Sequence, residues 1–209
     1  MIDEHLEKLK VLSDQEIGEK YFTIDELADY ISAGNTFWRF AVAESEEQQG
    51  ELTDPQITVK NKHRLSADDT IVGFIWGRVI PVRVFTGTRF SLPQLYSDEK
   101  VIFEVPTWVV QEKYQDYSIG TLLIKHMTDV ILEAEVYPVI SPVRKSEGES
   151  NKHLFFLSQY GTKTEVVPDK PTDVICSICG EDCSCQTVIL RYSEDDISKL
   201  HQDCRETVE

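Results

Sequence analysis

Apolar and polar positions follow two different periods along this chain. Val101-Ile-Phe-Glu-Val-Pro-Thr-Trp-Val-Val110 is a β-branched and aromatic run interrupted only by Glu104, Pro106 and Thr107, and it predicts a strand in the middle of a sheet. From Ile119 onward the apolar positions fall at Ile119, Leu122, Leu123, Met127, Val130, Ile131 and Ala134. That is the spacing of one helical face, so a helix starts close to Gly120. Thr36–Ala43, Thr70–Val79, Val136–Ser141 and Gln186–Tyr192 predict further strands. Near the N-terminus a helix is expected around Asp3–Leu12. A second is opened by the capping box Thr23-Ile-Asp-Glu26, with Ile24, Leu27, Ala28 and Ile31 on one face. Residues 44–69 and 85–100 read as long polar connections, which in a compact domain are often functional.

At 209 residues and 41% hydrophobic content the chain can bury a full core. No apolar run approaches the roughly 18 residues that cross a bilayer, and Met1-Ile-Asp-Glu-His-Leu6 is acidic with no apolar signal core. A soluble cytoplasmic protein without a membrane span is expected. The net charge of −16 argues against nucleic acid as a partner, because phosphate-backbone affinity comes from Lys and Arg. It fits a cationic partner, or it serves solubility alone.

The turn Gln115-Asp-Tyr-Ser-Ile-Gly120 carries the first candidate chemistry. Backbone N–H groups at a helix start have no internal partner and sit at the positive end of the helix dipole, so a small-residue turn there accepts a pyrophosphate. Ser118 and Gly120 allow close approach. Glu104 is the second candidate. A carboxylate in an apolar strand is costly to bury unless it faces a cleft or meets a partner, so it reads as a general base or as a structural hydrogen-bond acceptor.

Set between that strand and that helix, Gln115-x-x-Ser118-x-Gly120 resembles the coenzyme A loop of the GNAT superfamily of N-acetyltransferases, R/Q-x-x-G-x-G/A, with serine at the middle glycine. Ile71-Val-Gly-Phe-Ile75 and the turn at Tyr160-Gly161 resemble the family too, and the likeness covers about residues 20 to 167. It implies an α/β (α+β) fold over residues 1–168, with a mixed, mostly antiparallel central sheet flanked by helices. It implies acetyl-CoA as cofactor, held at Gln115, Asp116, Tyr117, Ser118, Ile119, Gly120 and Thr121, with Asn151 on the pantetheine arm. The thioester carbonyl would meet a backbone N–H near Val109 or Val110, beside Trp108. Glu104 would be the base for an amine acceptor, a small cationic amine or a protein amino group, that attacks the thioester directly. Residues 44–69 and 85–100 are the implied acceptor wall. Two features depart from the family: no first strand is evident, and Leu157 stands where a tyrosine acid is frequent, with Tyr160 read as a packing residue. The alternative is a catalytically degenerate GNAT-fold protein that acts as a coenzyme A-binding or zinc-module adaptor. Ser118 and Leu157 favour that alternative, whereas Gln115, Gly120 and Glu104 favour the enzyme.

All five cysteines, Cys176, Cys179, Cys183, Cys185 and Cys204, lie in the last 34 residues. Such clustering in a cytosolic chain points to metal more than to disulfides. Cys176-Ser-Ile-Cys179-Gly180 has the form of a zinc knuckle, and His201-Gln-Asp-Cys204 puts an imidazole and a thiol on one helical face. With the strand Gln186–Tyr192 and the cap Ser193-Glu-Asp-Asp196 they resemble a treble-clef or zinc-ribbon finger. The expectation is a zinc-binding module over residues 172–209, set off by Pro168-Asp-Lys-Pro171 and able to dock on the catalytic domain or on a protein partner. Its zinc would be held by Cys176, Cys179, His201 and Cys204 in a closed, structural site. Cys183 and Cys185 in place of the helical pair form a rival set, and buried cysteines without metal are a third reading. Gln186–Tyr192 also fits the main sheet, with the cysteines in a hairpin insertion.

Overall fold

A computed structural model of the chain describes residues 3–43, 56–82, 100–145, 156–168, 175–176 and 186–208. The helices are α1 (Asp3–Glu16), α2 (Ile24–Ser32), α3 (Ile119–Ala134) and α4 (Glu194–Val208), with a 3-10 helix at Glu112–Tyr117. The strands are β1 (Gly18–Glu19), β2 (Thr36–Ala43), β3 (Ile57–Asn61), β4 (Thr70–Pro81), β5 (Val101–Val110), β6 (Val139–Lys145), β7 (Thr162–Pro168), β8 (Ile175–Cys176) and β9 (Gln186–Tyr192). Seven of them form a sheet in the order β3-β2-β4-β5-β6-β9-β7, and β1 pairs with β8 in a separate two-stranded sheet. Every adjacent pair in the large sheet is antiparallel except β5 and β6. This is the mixed, mostly antiparallel sheet that the family resemblance implies.

The sheet's two faces carry different cores. On one face α3 buries Ile119, Leu123, Met127 and Ile131 against Ala41, Val72, Ile75, Phe103 and Val110. On the other, α1 and α2 bring Leu6, Leu9, Leu27 and Ile31 onto Trp38, Phe40, Phe74, Trp76 and Val109. The alternation of Val109 and Val110 between the two cores follows from the period of two along a strand. Thr23 and Glu26 form the expected capping box of α2.

Three expectations change. The polar stretch 44–69 contains an edge strand, β3, paired along Arg39↔Asn61 to Ala43↔Ile57. Gln186–Tyr192 lies inside the main sheet, between β6 and β7. Helix α4 packs on α3, and its Ile197, Leu200 and Cys204 belong to the same core as Leu123 and Met127. Residues 186–208 are therefore part of the central body, with Val188, Leu190, Ile197, Leu200 and Cys204 in that core. Among the described residues no helix is long and apolar enough to cross a membrane.

Candidate active site

Strand β5 is fully paired on one side only. Toward β4 it pairs from Val101↔Pro81 to Val110↔Gly73. Toward β6, among the described residues, it pairs only at Phe103↔Val139 and Glu104↔Ile140. A last link follows, in which the Ser141 hydroxyl donates to the Val105 carbonyl at 3.2 Å. Beyond it β6 stays with β9 as far as Lys145↔Gln186, so the two parallel strands part.

The cause of the parting is visible in β5 itself. Between Glu104 and Thr107 the register with β4 shifts, so that Val105 and Pro106 stand opposite Gly77. This is a β-bulge, the place where a strand tolerates a proline and bends. The extra residue also exchanges which amides face which neighbour. Phe103 N–H donates to the Pro138 carbonyl on the β6 side, whereas Gln111 N–H donates to Val72 on the β4 side. Val110↔Gly73 is thus a non-hydrogen-bonded pair, and the Val110 amide points into the gap. Val109 is opposite Phe74 and points its amide to β4, so of the two expected positions the gap-facing one is Val110.

The end of β5 runs directly into the turn. Glu112–Tyr117 form the 3-10 helix, Ser118 adopts the left-handed conformation at φ 55°, and α3 begins at Ile119. Ser118 makes no side-chain cap, and the first turn of α3 holds no acidic residue. An uncapped 16-residue helix without first-turn carboxylates suits an anion at its start. Gly120 has a packing reason of its own. A Cβ there would lie 2.4 Å from Cζ2 of Trp108, so the indole seats the turn. The Gln115 side chain turns inward and donates to the Val110 carbonyl at 3.2 Å, leaving the backbone to face a ligand.

Glu104 sits on the α1/α2 face of the sheet at the mouth of the gap, 4% exposed. Its carboxylate accepts from Arg78 Nε at 2.6 Å. The Arg78 guanidinium lies over the rings of Tyr30 and Trp76, 5.8 and 5.6 Å from their centroids. A buried carboxylate is tolerable with such a partner, and removing either member would strand the other. Arg78 is a missed residue of the site, although it breaks an apolar strand as Glu104 does. Tyr21 is another: its hydroxyl meets Thr107 Oγ1 at 3.0 Å, which brings the α1–α2 turn to β5. No local pattern marks Tyr21, because its partner is 86 residues away.

Other expected site residues lie elsewhere. Asn151, Cys179, Cys183 and Cys185 are outside the described residues. Tyr160 packs toward α4: its hydroxyl donates to Asp203 at 2.9 Å, and burial together with Asp203 pushes it up to about 12. Both members of the expected helical zinc pair are engaged within the fold. Cys204 is 0% exposed in the core, and burial pushes its thiol up to about 12. His201 Nε2 is taken by Asp129 Oδ1 at 2.7 Å. Among the described residues no three His, Cys, Asp or Glu side chains are grouped to hold a metal.

The architecture matches solved structures. Arabidopsis thaliana NAA60 in complex with acetyl-CoA superposes with a TM-score of 0.59 at 12% identity, over 91% of this chain and 93% of that one. Chaetomium thermophilum Naa20 in complex with a bisubstrate analogue gives 0.57 at 18%, over 94% and 86%. The loading GNATL domain of CurA from Lyngbya majuscula gives 0.56 at 14%, over 94% and 95%. No family model and no curated protein sequence matches the chain. The fold is that of the GNAT N-acetyltransferases.

Proposed function

We propose that the protein is an acetyl-CoA-dependent N-acetyltransferase whose acceptor amine attacks the thioester directly. The observation that carries this reading is the parting of β5 and β6 beside an uncapped helix start, which joins a slot for an extended arm to a cradle for a pyrophosphate. When bound, acetyl-CoA supplies an acyl thioester and a thiolate leaving group. The amides of Asp116 to Thr121 hold the pyrophosphate, and the Val110 N–H polarises the carbonyl. The amine's proton passes through water to Glu104, which Arg78 keeps in place. Tyr21 and Thr107 border the acceptor side. The surplus of negative charge, −16 over the chain, supports a cationic acceptor. Among the structural neighbours, one complex holds a peptide and CoA and one is a ribosomal-protein alanine N-acetyltransferase; this supports protein amino termini as the acceptor class. The test is thiol release from acetyl-CoA in the presence of a library of short peptides with free N-termini. Acetylated peptide formed in step with free coenzyme A is the expected result. Binding of acetyl-CoA without transfer to any peptide or polyamine would favour the degenerate adaptor.

Zinc is a separate proposal. With His201 and Cys204 engaged in the fold, it falls to Cys176, Cys179, Cys183 and Cys185. Cys183→Ser should then abolish metal content and Cys204→Ser should not.

A further inference from the structure

Helix α1 ends at Glu16, and the carboxylate there reaches across to the cofactor turn. Oε1 accepts the backbone N–H of Glu112 at 3.0 Å, at the first residue of the 3-10 helix. Oε2 lies 3.5 Å from Gln115 Nε2, whose other hydrogen goes to the Val110 carbonyl at 3.2 Å. Both protons of the Gln115 amide are thereby directed to one backbone carbonyl and one carboxylate. The segment that follows Glu16 is tied down twice more, by Gly18 pairing with Cys176 in β1–β8 and by Tyr21 meeting Thr107. The stretch from Glu16 to Tyr21 thus connects the cofactor turn to the mouth of the β5–β6 gap.

We propose that Glu16 is a positioning residue for the cofactor, a carboxylate clamp that fixes the 3-10 helix and Gln115 so that the amides of Asp116 to Thr121 converge before acetyl-CoA arrives. The inference rests on the function proposed above and deepens it. Its physical basis is that the 3-10 helix has no side-chain cap of its own at Gln111, so its first amide is satisfied from outside by Glu16. A charged acceptor on a backbone N–H is among the stronger hydrogen bonds in a protein. The arrangement also runs against long-range electrostatics, since a carboxylate near a pyrophosphate site repels its ligand. A fixed anion at this place is explained by geometry that it imposes and not by charge that it offers.

The experiment compares full-length wild type with Glu16→Ala, Glu16→Gln and Gln115→Ala. Hydrogen exchange of ligand-free protein should show the amides from Glu112 to Thr121 opening about tenfold more readily in Glu16→Ala, the scale of one charged hydrogen bond, with the thermal midpoint little changed. Acetyl-CoA affinity by calorimetry should fall about tenfold. Glu16→Gln keeps an oxygen for the Glu112 N–H and should fall between. The double variant Glu16→Ala/Gln115→Ala should bind no worse than the weaker single one, because both remove the same clamp. Unchanged exchange in this segment, or tighter acetyl-CoA binding in both Glu16 variants, would overturn the inference and make Glu16 merely a repelling charge. Absence of acetyl-CoA binding to wild type would instead overturn the proposed function, and the exchange comparison would still decide the role of Glu16.

Discussion

Helices α3 and α4 lie against each other, yet they begin in opposite ways. At the start of α4, Ser193 and Asp196 bond reciprocally: the Ser193 N–H reaches Asp196 at 2.8 Å and the Asp196 N–H reaches Ser193 Oγ at 3.3 Å. Glu194, Asp195 and Asp196 add negative charge to its first turn. The start of α3 has neither a side-chain cap nor an acid, and Ser118 leads into it in a left-handed conformation. A helix that satisfies its own first amides and neutralises its own dipole has no further use for an anion. One that does neither, at the end of a strand that has parted from its neighbour, is arranged to receive one. Capping is a matter of stability in α4; under the proposed function, its absence in α3 leaves room for the cofactor.

The comparison separates binding from chemistry, and the largest predicted effect lies on the chemical side. Glu104 is at the far end of the gap from the α3 start. Glu104→Gln should lower kcat by about a hundredfold, the usual scale for a general base, and leave acetyl-CoA affinity within about twofold. Parallel rate and binding measurements check this, and an equal loss in both would make Glu104 a structural partner of Arg78. Gly120→Ala should come next. The added carbon meets Trp108, and overpacking of this kind costs about 1–3 kcal/mol. Denaturant unfolding should show that loss together with weaker acetyl-CoA binding. Unchanged values in both would break the claim that Trp108 seats the turn.

The smallest effect concerns the interface between the two helices. His126 on α3 is held below its ordinary value by burial first, then by Lys125 and by Arg39 from β2, against the pull of Asp129. The unfolded chain therefore takes up this proton more readily than the folded one. Stability from His126 is complete above its ordinary value of 6.5 and declines as pH falls through that value. Asp129, which accepts from His201 of α4, is raised by burial but lowered further by His201 and Lys125, so its stabilisation is present above 3.8 and is lost only in stronger acid. Unfolding measured from pH 8 to pH 5 should show a shallow loss that His126→Gln flattens. A slope identical in both proteins would remove His126 from the account.

Much of the fold was legible because it is written in local periods. Val101–Val110 is a β-branched and aromatic run, α3 follows its apolar spacing from Ile119, and the capping box at Thr23 and the cap at Ser193 mark two helix starts. The misses are non-local. Ile57–Asn61 is a short edge strand of half-buried residues, and nothing in its own pattern distinguishes it from a polar connection. That His201 meets an aspartate on α3 and Cys204 lies in an apolar core is likewise something no spacing reveals. In the candidate site, the strand, the turn and the helix start near Gly120 were legible, whereas the missing cap at Ser118 was not. The bulge at Val105 and Pro106 was hinted at by the proline alone. Arg78, Tyr21 and Glu16 reach the site only through pairing across the sheet and from α1.

The contrast between the two helix starts is tested most directly by calorimetric titration of acetyl-CoA into wild type, Ser118→Asp and Ser193→Ala. Wild type should bind one acetyl-CoA per chain. Ser118→Asp places at α3 the carboxylate that α4 already carries, and it should weaken binding at least tenfold, about 1.4 kcal/mol. Ser193→Ala should lose about 1 kcal/mol of stability and bind acetyl-CoA as wild type does. Absence of binding in wild type, or a weakening in Ser193→Ala as large as that in Ser118→Asp, would contradict the assignment of the cofactor to the start of α3.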